Sequence, residues 1–373
     1  MPSLLKEDNV SLNNQLTEDM ATTSSEISQP TVVNVIQKPS VNIIDRIRYK
    51  IGLRNELYRN LIVECFCTGF LCFGGFASNC QHVLSYSQKN NYLAVAIGWA
   101  LSLMFAVYMS FRTSGGHLNP AVSLFQLTMG NINPLTFILY TIAQTIGAFF
   151  GALFAYILYI DAIDNYDGGN RFVTGPRATA GIFATYPQHY LSIFGGIFDQ
   201  VLGTAVLCFL IGTITDKRNR IHYTFQPVLI SLVLLFIGLT LGMNSGYAIN
   251  PARDIGPRIF TLIAGYGWRV FSYRNYAWFW IPILGPLLGG VIGAWMYQLI
   301  IGIHLPDNTF EDVDLYRSTH PDNQPIITNT YEVKPVDARN VNPNGMQKGY
   351  PYTNTSTDQS YYTERPHQSR EFV

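Results

Sequence analysis

The 373-residue sequence predicts an all-α membrane protein, in which six membrane-spanning helices and two re-entrant half-helices form an inverted repeat. Three observations support this fold class: a low content of charge, six long apolar segments, and the tripeptide Asn-Pro-Ala once in each half of the chain. Only 13% of the residues are charged and 48% are hydrophobic, whereas a soluble domain carries about 25% charged residues. So little charge cannot cover a soluble globule of this length.

The charge balance and the cysteines exclude other classes of protein. The 24 Lys and Arg residues balance the 24 Asp and Glu residues, whereas a nucleic-acid-binding protein would carry a basic excess. The five cysteines lack the paired spacing of a zinc site or a disulfide framework, and we interpret them as small buried hydrophobic residues. The polar first forty residues contain no recognisable cleavable signal peptide.

Six apolar segments are long enough to cross the hydrocarbon core as helices, which takes about 20 residues each. Their unbroken apolar character favours helices, because the strands of membrane barrels alternate apolar and polar residues. Two acidic residues, Glu64 and Asp199, lie inside these segments. The predicted spans are approximately Leu57–Ala77, Tyr92–Phe111, Pro134–Ile160, Ile193–Thr215, Phe225–Met243 and Tyr276–Ile303.

Lysine and arginine are concentrated on one side of the predicted membrane domain. Four of them lie shortly before the first span and Arg59 lies at its start, and three more lie in the short loop after the fourth span, whereas the loop after the first span has only Lys89. Because basic loops stay in the cytoplasm, we expect a multi-pass plasma-membrane protein with both termini cytoplasmic. The basic residues on that side are Arg46, Arg48, Lys50, Arg54, Arg59, Lys217, Arg218 and Arg220.

The two ends of the chain are polar, and we expect residues 1–50 and 306–373 to be disordered cytoplasmic tails around a membrane domain at 51–305. The C-terminal sequence Glu371-Phe372-Val373 leaves open an alternative, weak capture of this peptide by a carboxylate-binding partner domain. A match of three residues has low specificity, so an inert solvated tail is the favoured interpretation.

The two halves of this domain, about 57–160 and 193–303, carry the same signals in the same order. Glu64 in the first span corresponds to Asp199 in the fourth, and Asn-Pro-Ala follows in each half. Each half contains three spans, which is an odd number. The two halves must therefore lie inverted in the membrane.

Each Asn-Pro-Ala predicts the start of a helix too short to cross the membrane, because asparagine is a preferred N-cap and proline is favoured at the first helical position. Inversion brings the two helix N-termini together near the midplane. About half a positive charge at each N-terminus then opposes cations and protons, while the asparagine amides can donate hydrogen bonds to a neutral molecule. The motif residues are Asn119, Pro120, Ala121, Asn250, Pro251 and Ala252.

This arrangement resembles the aquaporin, or major intrinsic protein, family over about residues 55–305. The resemblance rests on His117-Leu-Asn-Pro-Ala-Val122 and Asn250-Pro-Ala-Arg-Asp254, and segments 181–187, 242–250 and 302–306 are similar to animal aquaglyceroporins. It implies the aquaporin-like fold, a homotetramer with one pore in each subunit, and no cofactor or metal. The implied function is a passive channel for glycerol and water that excludes ions and protons, with urea and other small neutral solutes left open.

The resemblance places the narrowest part of the pore at Trp99, Gly238, Tyr247 and Arg253. Channels that pass only water typically carry histidine at the position of Gly238, and glycine makes room for a larger solute. The two aromatic rings would contact the carbon backbone of a polyol, and Arg253 would donate hydrogen bonds to its hydroxyl groups. Arg253 is functional by default, since a charge at membrane depth costs about 2.5–3.5 kcal/mol on insertion scales. Taken singly, Trp99 and Gly238 are more often packing residues.

Other residues are expected to support the pore. The resemblance implies that Glu64 and Asp199 each accept hydrogen bonds from backbone N–H groups of a re-entrant loop, and proton relay is the alternative role. Asp254, directly after Arg253, matches the aquaglyceroporin type of this loop. Backbone carbonyls facing the pore are expected from Gly115, Gly116, His117, Gly246, Tyr247 and Ala248.

Three other classes of function are less well supported by the sequence. An enzyme is rejected because no nucleophile–base set, metal cluster or phosphate-binding loop lies among the residues at membrane depth. A scaffold that has lost conduction would show a bulky residue at position 238 or a broken Asn-Pro-Ala, and neither is found. An alternating-access transporter also has inverted repeats, but no further buried charge suggests a coupling ion.

Deletion of residues 310–373 should leave solute flux intact, because all predicted spans and both Asn-Pro-Ala motifs precede the deleted segment. The measurement is the swelling rate of vesicles reconstituted with equal amounts of full-length and truncated protein. Loss of transport by the truncated protein would contradict the assignment of this segment to a tail.

Overall fold

The computed structural model describes residues 42–306. The predicted C-terminal tail, with Glu371-Phe372-Val373, therefore lies outside the described residues except at position 306, and so does most of the predicted N-terminal tail. The described part of the chain divides into two units, with the boundary after Gly52.

The first unit, as far as it is described, is helix α1, Ile43–Ile51. The Asn42 side chain caps it by accepting a hydrogen bond from the N–H of Asp45 at 2.9 Å. Isoleucines at positions 43, 44, 47 and 51 share one face of the helix, because this spacing follows the helical period. The prediction of a disordered tail up to residue 50 therefore differs from the structure, since the polar composition of the tail concealed a short capped helix.

The second unit is built from helices joined by turns, and within residues 53–306 no strand is formed. Short 3₁₀ turns lie at 180–182, 217–219 and 302–304, and a π-helical turn lies at Leu262–Tyr266. The helices are α2 Glu56–Leu84, α3 Tyr92–Ser110, α4 Pro120–Thr128, α5 Pro134–Asp167, α6 Ile193–Thr215, α7 Gln226–Leu241, α8 Pro251–Thr261, α9 Arg269–Ser272 and α10 Ile281–Ile300.

Helix packing in this unit follows the predicted inverted repeat. Helix α2 packs against α5 and α3, just as α6 packs against α10 and α7, and α3 packs against α7 between the halves. The short helices cross over, since α4 packs against α10 and α8 packs against α5. Helices α4 and α8, with 9 and 11 residues, are about 14 and 17 Å long, roughly half of the 30 Å hydrocarbon core. The predicted fold class is confirmed.

The spans differ from the sequence prediction at their ends. Helices α2, α3, α5, α6 and α10 are long and apolar enough to cross a membrane. Helix α7 is apolar but has only 16 residues, about 24 Å, and it begins at Gln226 with a proline in its first turn. Helix α10 begins at Ile281 instead of Tyr276, again with a proline in its first turn. Because proline is favoured at the start of a helix, these two prolines mark where the two helices begin.

Glycines allow the long helices of each half to touch at their backbones. A Cβ atom added to Gly293 of α10 would overlap the Ala205 carbonyl of α6, and one added to Gly147 of α5 would overlap the Cys65 carbonyl of α2. Close approach through small residues is the usual way in which helices associate in membranes. These contacts hold the scaffold on which the two short helices are placed.

Candidate functional site

The two Asn-Pro-Ala motifs form the N-terminal ends of α4 and α8. The side-chain oxygen of Asn119 accepts a hydrogen bond from the N–H of Ala121 at 2.9 Å, and that of Asn250 accepts one from the N–H of Arg253 at 3.1 Å. Pro120 and Pro251 occupy the first helical positions. Each asparagine therefore caps its own helix with its acceptor atom and keeps its amide N–H groups for other partners.

The asparagine amides connect the two halves of the molecule. Asn119 donates a hydrogen bond to the carbonyl of Ile249 at 2.9 Å, and Asn250 donates one to the carbonyl of Leu118, also at 2.9 Å. A side-chain amide has two N–H groups, so each asparagine keeps one N–H beyond this reciprocal pair. Both asparagines line a central cavity, where that group can meet a passing molecule.

The segments before the two motifs adopt backbone conformations that non-glycine residues rarely take. The φ angles are 53° at Leu118, 42° at Tyr247 and 37° at Ile249, and each such residue costs about 1–3 kcal/mol. A positive φ angle is least favourable for a β-branched residue, so the backbone strain is largest at Ile249. These conformations persist because the carbonyls of Leu118 and Ile249 are held by the asparagines of the opposite half.

The central cavity lies between two vestibules, one at each end of the membrane domain. His117 lines both this cavity and the first vestibule, which lies beside the N-terminus of α2. Three residues, Trp99, Tyr247 and Arg253, line both the cavity and the second vestibule, at the opposite end of the membrane domain. The volume of the cavity is about 60 Å³, and a water molecule needs at least about 10–15 Å³. The cavity therefore has room for a single file of a few water molecules or for one small solute.

The wall of the cavity is apolar on part of its circumference and polar on the rest. The polar part consists of the two motif asparagines, Arg253 and backbone of the segments before the motifs. Of the residues expected to supply carbonyls, Gly116, His117, Tyr247 and Ala248 line the cavity, whereas Gly115 and Gly246 line the vestibules. The aliphatic part consists of Leu71, Leu103, Val107, Val122, Leu207, Ile211, Ile230 and Leu234.

Arg253 lies where the cavity meets the second vestibule. Its guanidinium group donates a hydrogen bond to the carbonyl of Phe183 at 2.8 Å. The guanidinium carbon is 4.5 Å from the ring centroid of Trp99 and 5.1 Å from that of Phe76. Cation–π contacts of this kind are strengthened by desolvation, and the side chain is buried. The positive charge is therefore fixed at the channel wall.

Of the other three predicted constriction residues, two line the channel and the third lies behind one of them. Trp99 and Tyr247 line the channel beside Arg253. Gly238 does not line it, because the phenol ring of Tyr247 covers this glycine: a Cβ atom there would be 3.0 Å from Cζ of Tyr247. The carbonyl of Gly238 accepts a hydrogen bond from the Tyr92 hydroxyl at 2.7 Å. Gly238 thus provides the space into which the tyrosine ring withdraws.

Asp254, expected only as a marker of subfamily, anchors the loop that holds Arg253. It is fully buried with Arg258 in an ion pair of 2.7 Å, and it accepts a hydrogen bond from the N–H of Thr185 at 2.8 Å. Arg258 and the Trp278 indole both donate to the carbonyl of Thr185, at 2.7 and 2.8 Å. The backbone two residues after Phe183 is therefore held from three directions. Sequence reasoning missed this role, since no local pattern places Thr185 near Asp254.

Glu64 of helix α2 supports the first re-entrant segment in the way that was expected. Its carboxylate accepts hydrogen bonds from the N–H groups of His117 at 3.0 Å and Leu118 at 2.7 Å. It also accepts from the Ser114 hydroxyl and from the Gln144 amide at 2.8 Å. With four donors the carboxylate is well satisfied although it is fully buried.

In the second half Gln200, and not Asp199, takes the position of Glu64. The side-chain oxygen of Gln200 accepts from the N–H of Ile249 at 3.1 Å, and its amide donates to the Ser245 hydroxyl at 2.7 Å. Asp199 accepts hydrogen bonds from side chains, namely the Ser245 hydroxyl and the Asn244 amide of the loop and the amide of Gln200, the latter two at 3.0 Å. Adjacent residues of a helix point about 100° apart, so the expected backbone contact falls to the next residue.

The sequence contained a signal for this register. Glu64 precedes Thr68 by four residues, and Gln200 precedes Thr204 by the same interval. Matching the two acids by charge moved the alignment of the halves by one residue. The role expected of Asp199 as a backbone acceptor is therefore corrected to support of the loop through side chains.

Comparison with known proteins agrees with this architecture. The profile of the family described as Major intrinsic protein matches residues 53–297. Aquaporin-10 of Homo sapiens is 39% identical over 269 residues, which cover 72% of this chain and 89% of that protein. Aquaglyceroporin-2 of Rhizophagus irregularis is 39% identical over 246 residues, covering 65% and 77%. The chain belongs to the major intrinsic protein family.

Two further matches are an aquaporin sequence and the solved structure of an aquaglyceroporin. Aquaporin-9 of Mus musculus is 38% identical over 256 residues, covering 68% of this chain and 86% of that protein. The X-ray structure of the aquaglyceroporin from Plasmodium falciparum superposes with a TM-score of 0.60 at 28% identity, covering 66% of this chain and 98% of that one. The similarity to aquaglyceroporins in sequence and fold matches the resemblance found in the motifs.

Replacement of Gln200 by leucine should destabilise the protein by about 1–3 kcal/mol, because the N–H of Ile249 and the hydroxyl of Ser245 lose a buried partner. Asp199→Asn is the matched control, since an amide can still bind the loop side chains. Unfolding of the purified proteins in mixed detergents measures the difference. An asparagine variant as unstable as the leucine variant would contradict the assignment of backbone support to Gln200.

Proposed function

We propose that this protein is a passive channel that conducts glycerol and water down their gradients and excludes ions and protons. The observation that carries the proposal is the lining of the central cavity, which combines aliphatic side chains with asparagine amides, backbone and Arg253. A polyol has the same division, with a hydrocarbon edge and a hydroxylated edge. Because this cavity lies between the two vestibules, its lining suits the passage of such a solute from one vestibule to the other.

Each part of the polar wall has a separate role in this proposal. The remaining N–H groups of Asn119 and Asn250 donate hydrogen bonds to a hydroxyl oxygen of the solute, and nearby backbone carbonyls accept a hydrogen bond from that hydroxyl. The solute thereby exchanges water for protein hydrogen bonds at little net cost. The N-terminal ends of α4 and α8, together with the charge of Arg253, oppose cations and protons.

The proposal includes an assembly and an orientation. We infer a homotetramer with one pore in each subunit, as the family resemblance implies. We also infer a plasma-membrane location with both termini in the cytoplasm, because basic residues precede α2 and occupy the loop between α6 and α7. The vestibule beside the N-terminus of α2 then faces the cytoplasm. Capture of the C-terminal peptide by a partner remains a weaker proposal.

Stopped-flow measurements on reconstituted vesicles test this function directly. Vesicles containing the full chain should swell faster than protein-free vesicles in both water and glycerol gradients, and their ionic conductance should stay at the protein-free level. A urea gradient measures how far the pore accepts other neutral solutes. Glycerol flux no faster than in protein-free vesicles would overturn the proposal.

Replacement of Arg253 by valine should give a folded channel that leaks cations or protons, because the constriction loses its full positive charge. A barrier lowered by only about 1.4 kcal/mol raises the leak tenfold. Proton flux and conductance of reconstituted protein measure the effect, with Arg269→Val as control because Arg269 is exposed and lies outside the channel lining. An unchanged leak in the Arg253 variant would contradict the barrier role.

Replacement of Gly238 by histidine should shift the pore towards water, because an imidazole fills space that a three-carbon solute needs. Since Tyr247 covers Gly238, the clearest test is the double change Gly238→His with Tyr247→Cys. A steric penalty of about 1.4 kcal/mol would lower glycerol flux tenfold. The ratio of glycerol to water permeability is compared in the same vesicles, with Tyr247→Cys alone as control. An unchanged ratio would exclude position 238 from selectivity.

A further inference from the structure

We propose that Gly75 of helix α2 determines the width of the constriction, although it does not line the channel. Its missing side chain lets the Trp99 indole lie back against α2, which keeps the pore wide enough for a polyol. The inference rests on the proposed function, and it adds a positioning residue outside the channel wall.

The contact between Gly75 and Trp99 leaves no room for a methyl group. A Cβ atom added to Gly75 would overlap three indole atoms, Cδ2, Cε2 and Cε3. The overlap is closer than real Cβ contacts, so either the ring or the helix would have to move. Since the three atoms adjoin the ring junction, the collision would be with the body of the indole and not with a flexible end.

Two further residues of α2 complete a seat for the indole. Asn79 accepts a hydrogen bond from the indole N–H at 3.2 Å, and its own amide donates to the carbonyl of Ile182 at 2.8 Å. The Phe76 ring meets the indole edge-on, with centroids 5.4 Å apart. The spacing of Gly75, Phe76 and Asn79 puts them on one side of the helix. Together they hold Trp99 from the side of α2, and its remaining side lines the channel.

Helices α2 and α3 also approach each other closely at two positions other than Gly75. A Cβ atom on Gly74 would overlap the Ser102 side chain, and one on Gly98 would overlap that of Ser78. These two close approaches hold the two helix backbones together independently of Trp99. A methyl group at position 75 should therefore displace the indole, and the direction left open to it is the channel.

Displacement of the indole would hinder the larger solute more than the smaller one. Trp99 already contacts the Arg253 guanidinium, 4.5 Å from its ring centroid, so the ring would move into the narrowest part of the path. A clash that excludes the larger ligand raises selectivity for the smaller. Gly75 thereby acts on selectivity through Trp99.

The test compares Gly75→Ala with wild type and with Gly74→Ala in the full-length protein. Gly74→Ala is the matched control, because it adds the same methyl group to the same helix pair but meets Ser102 instead of Trp99. In Gly75→Ala, glycerol permeability should fall about tenfold or more while water permeability falls less than about threefold. The ratio in Gly74→Ala should stay at the wild-type value.

A smaller ring at position 99 should rescue the variant. Gly75→Ala combined with Trp99→Phe should recover most of the lost glycerol permeability, judged against Trp99→Phe alone, because phenylalanine lacks the second ring that the methyl group meets. If Gly75→Ala fails to fold, folding of the double variant supports the seat. Failure of both to fold would mean that Gly75 serves helix packing, and the inference would be overturned.

The outcomes separate this inference from the function on which it rests. Wild-type protein without glycerol flux would overturn both. Wild-type protein that conducts glycerol, with an unchanged permeability ratio in Gly75→Ala, would overturn the role of Gly75 alone. An equal change of the ratio in Gly74→Ala would also overturn it, because separation of the helices would then be the cause.

Discussion

The reciprocal hydrogen bonds between the two motif asparagines and the opposite loop are the constraint on which the pore depends. Backbone at membrane depth must be satisfied by protein or by water in a cavity, and each re-entrant segment has carbonyls that its own helix cannot satisfy. Asn119 binds the carbonyl of Ile249, and Asn250 binds that of Leu118. Neither segment is complete without the other, so the two halves must meet where the channel lies.

Support behind the segments follows the same two-fold plan with different chemistry. A carboxylate, Glu64, receives two backbone N–H groups in the first half, and a neutral amide, Gln200, receives one in the second. The second half adds the buried pair Asp254–Arg258, which holds the loop around Thr185. The two sides of the pore are therefore similar in backbone path and different in charge, and the fixed cation Arg253 belongs to the second half.

The sequence alone predicted the features of the fold that depend on composition and on short motifs. The apolar runs predicted the spans, and Asn-Pro-Ala predicted two capped short helices, because both signals act within one helix. The sequence did not predict the contacts between segments that are far apart in the chain. Gln200 was overlooked because the two halves were aligned by their acidic residues and not by residue spacing. The position of the Tyr247 ring over Gly238 depends on how α7 packs against the second re-entrant segment. Helix α1 was hidden in a polar tail.

The crossed packing of the short helices has a consequence for synthesis. Chains are made from the N-terminus, and early segments fold before later ones exist. Helix α4 belongs to the first half, yet it packs against α10, the last long helix of the described chain. Until α10 has been inserted, α4 can pack against α5 but lacks its main partner in the second half. Helix α4 therefore reaches its final packing only after the last long helix of the described chain has been inserted, so its entry into the membrane and its final packing are separate events.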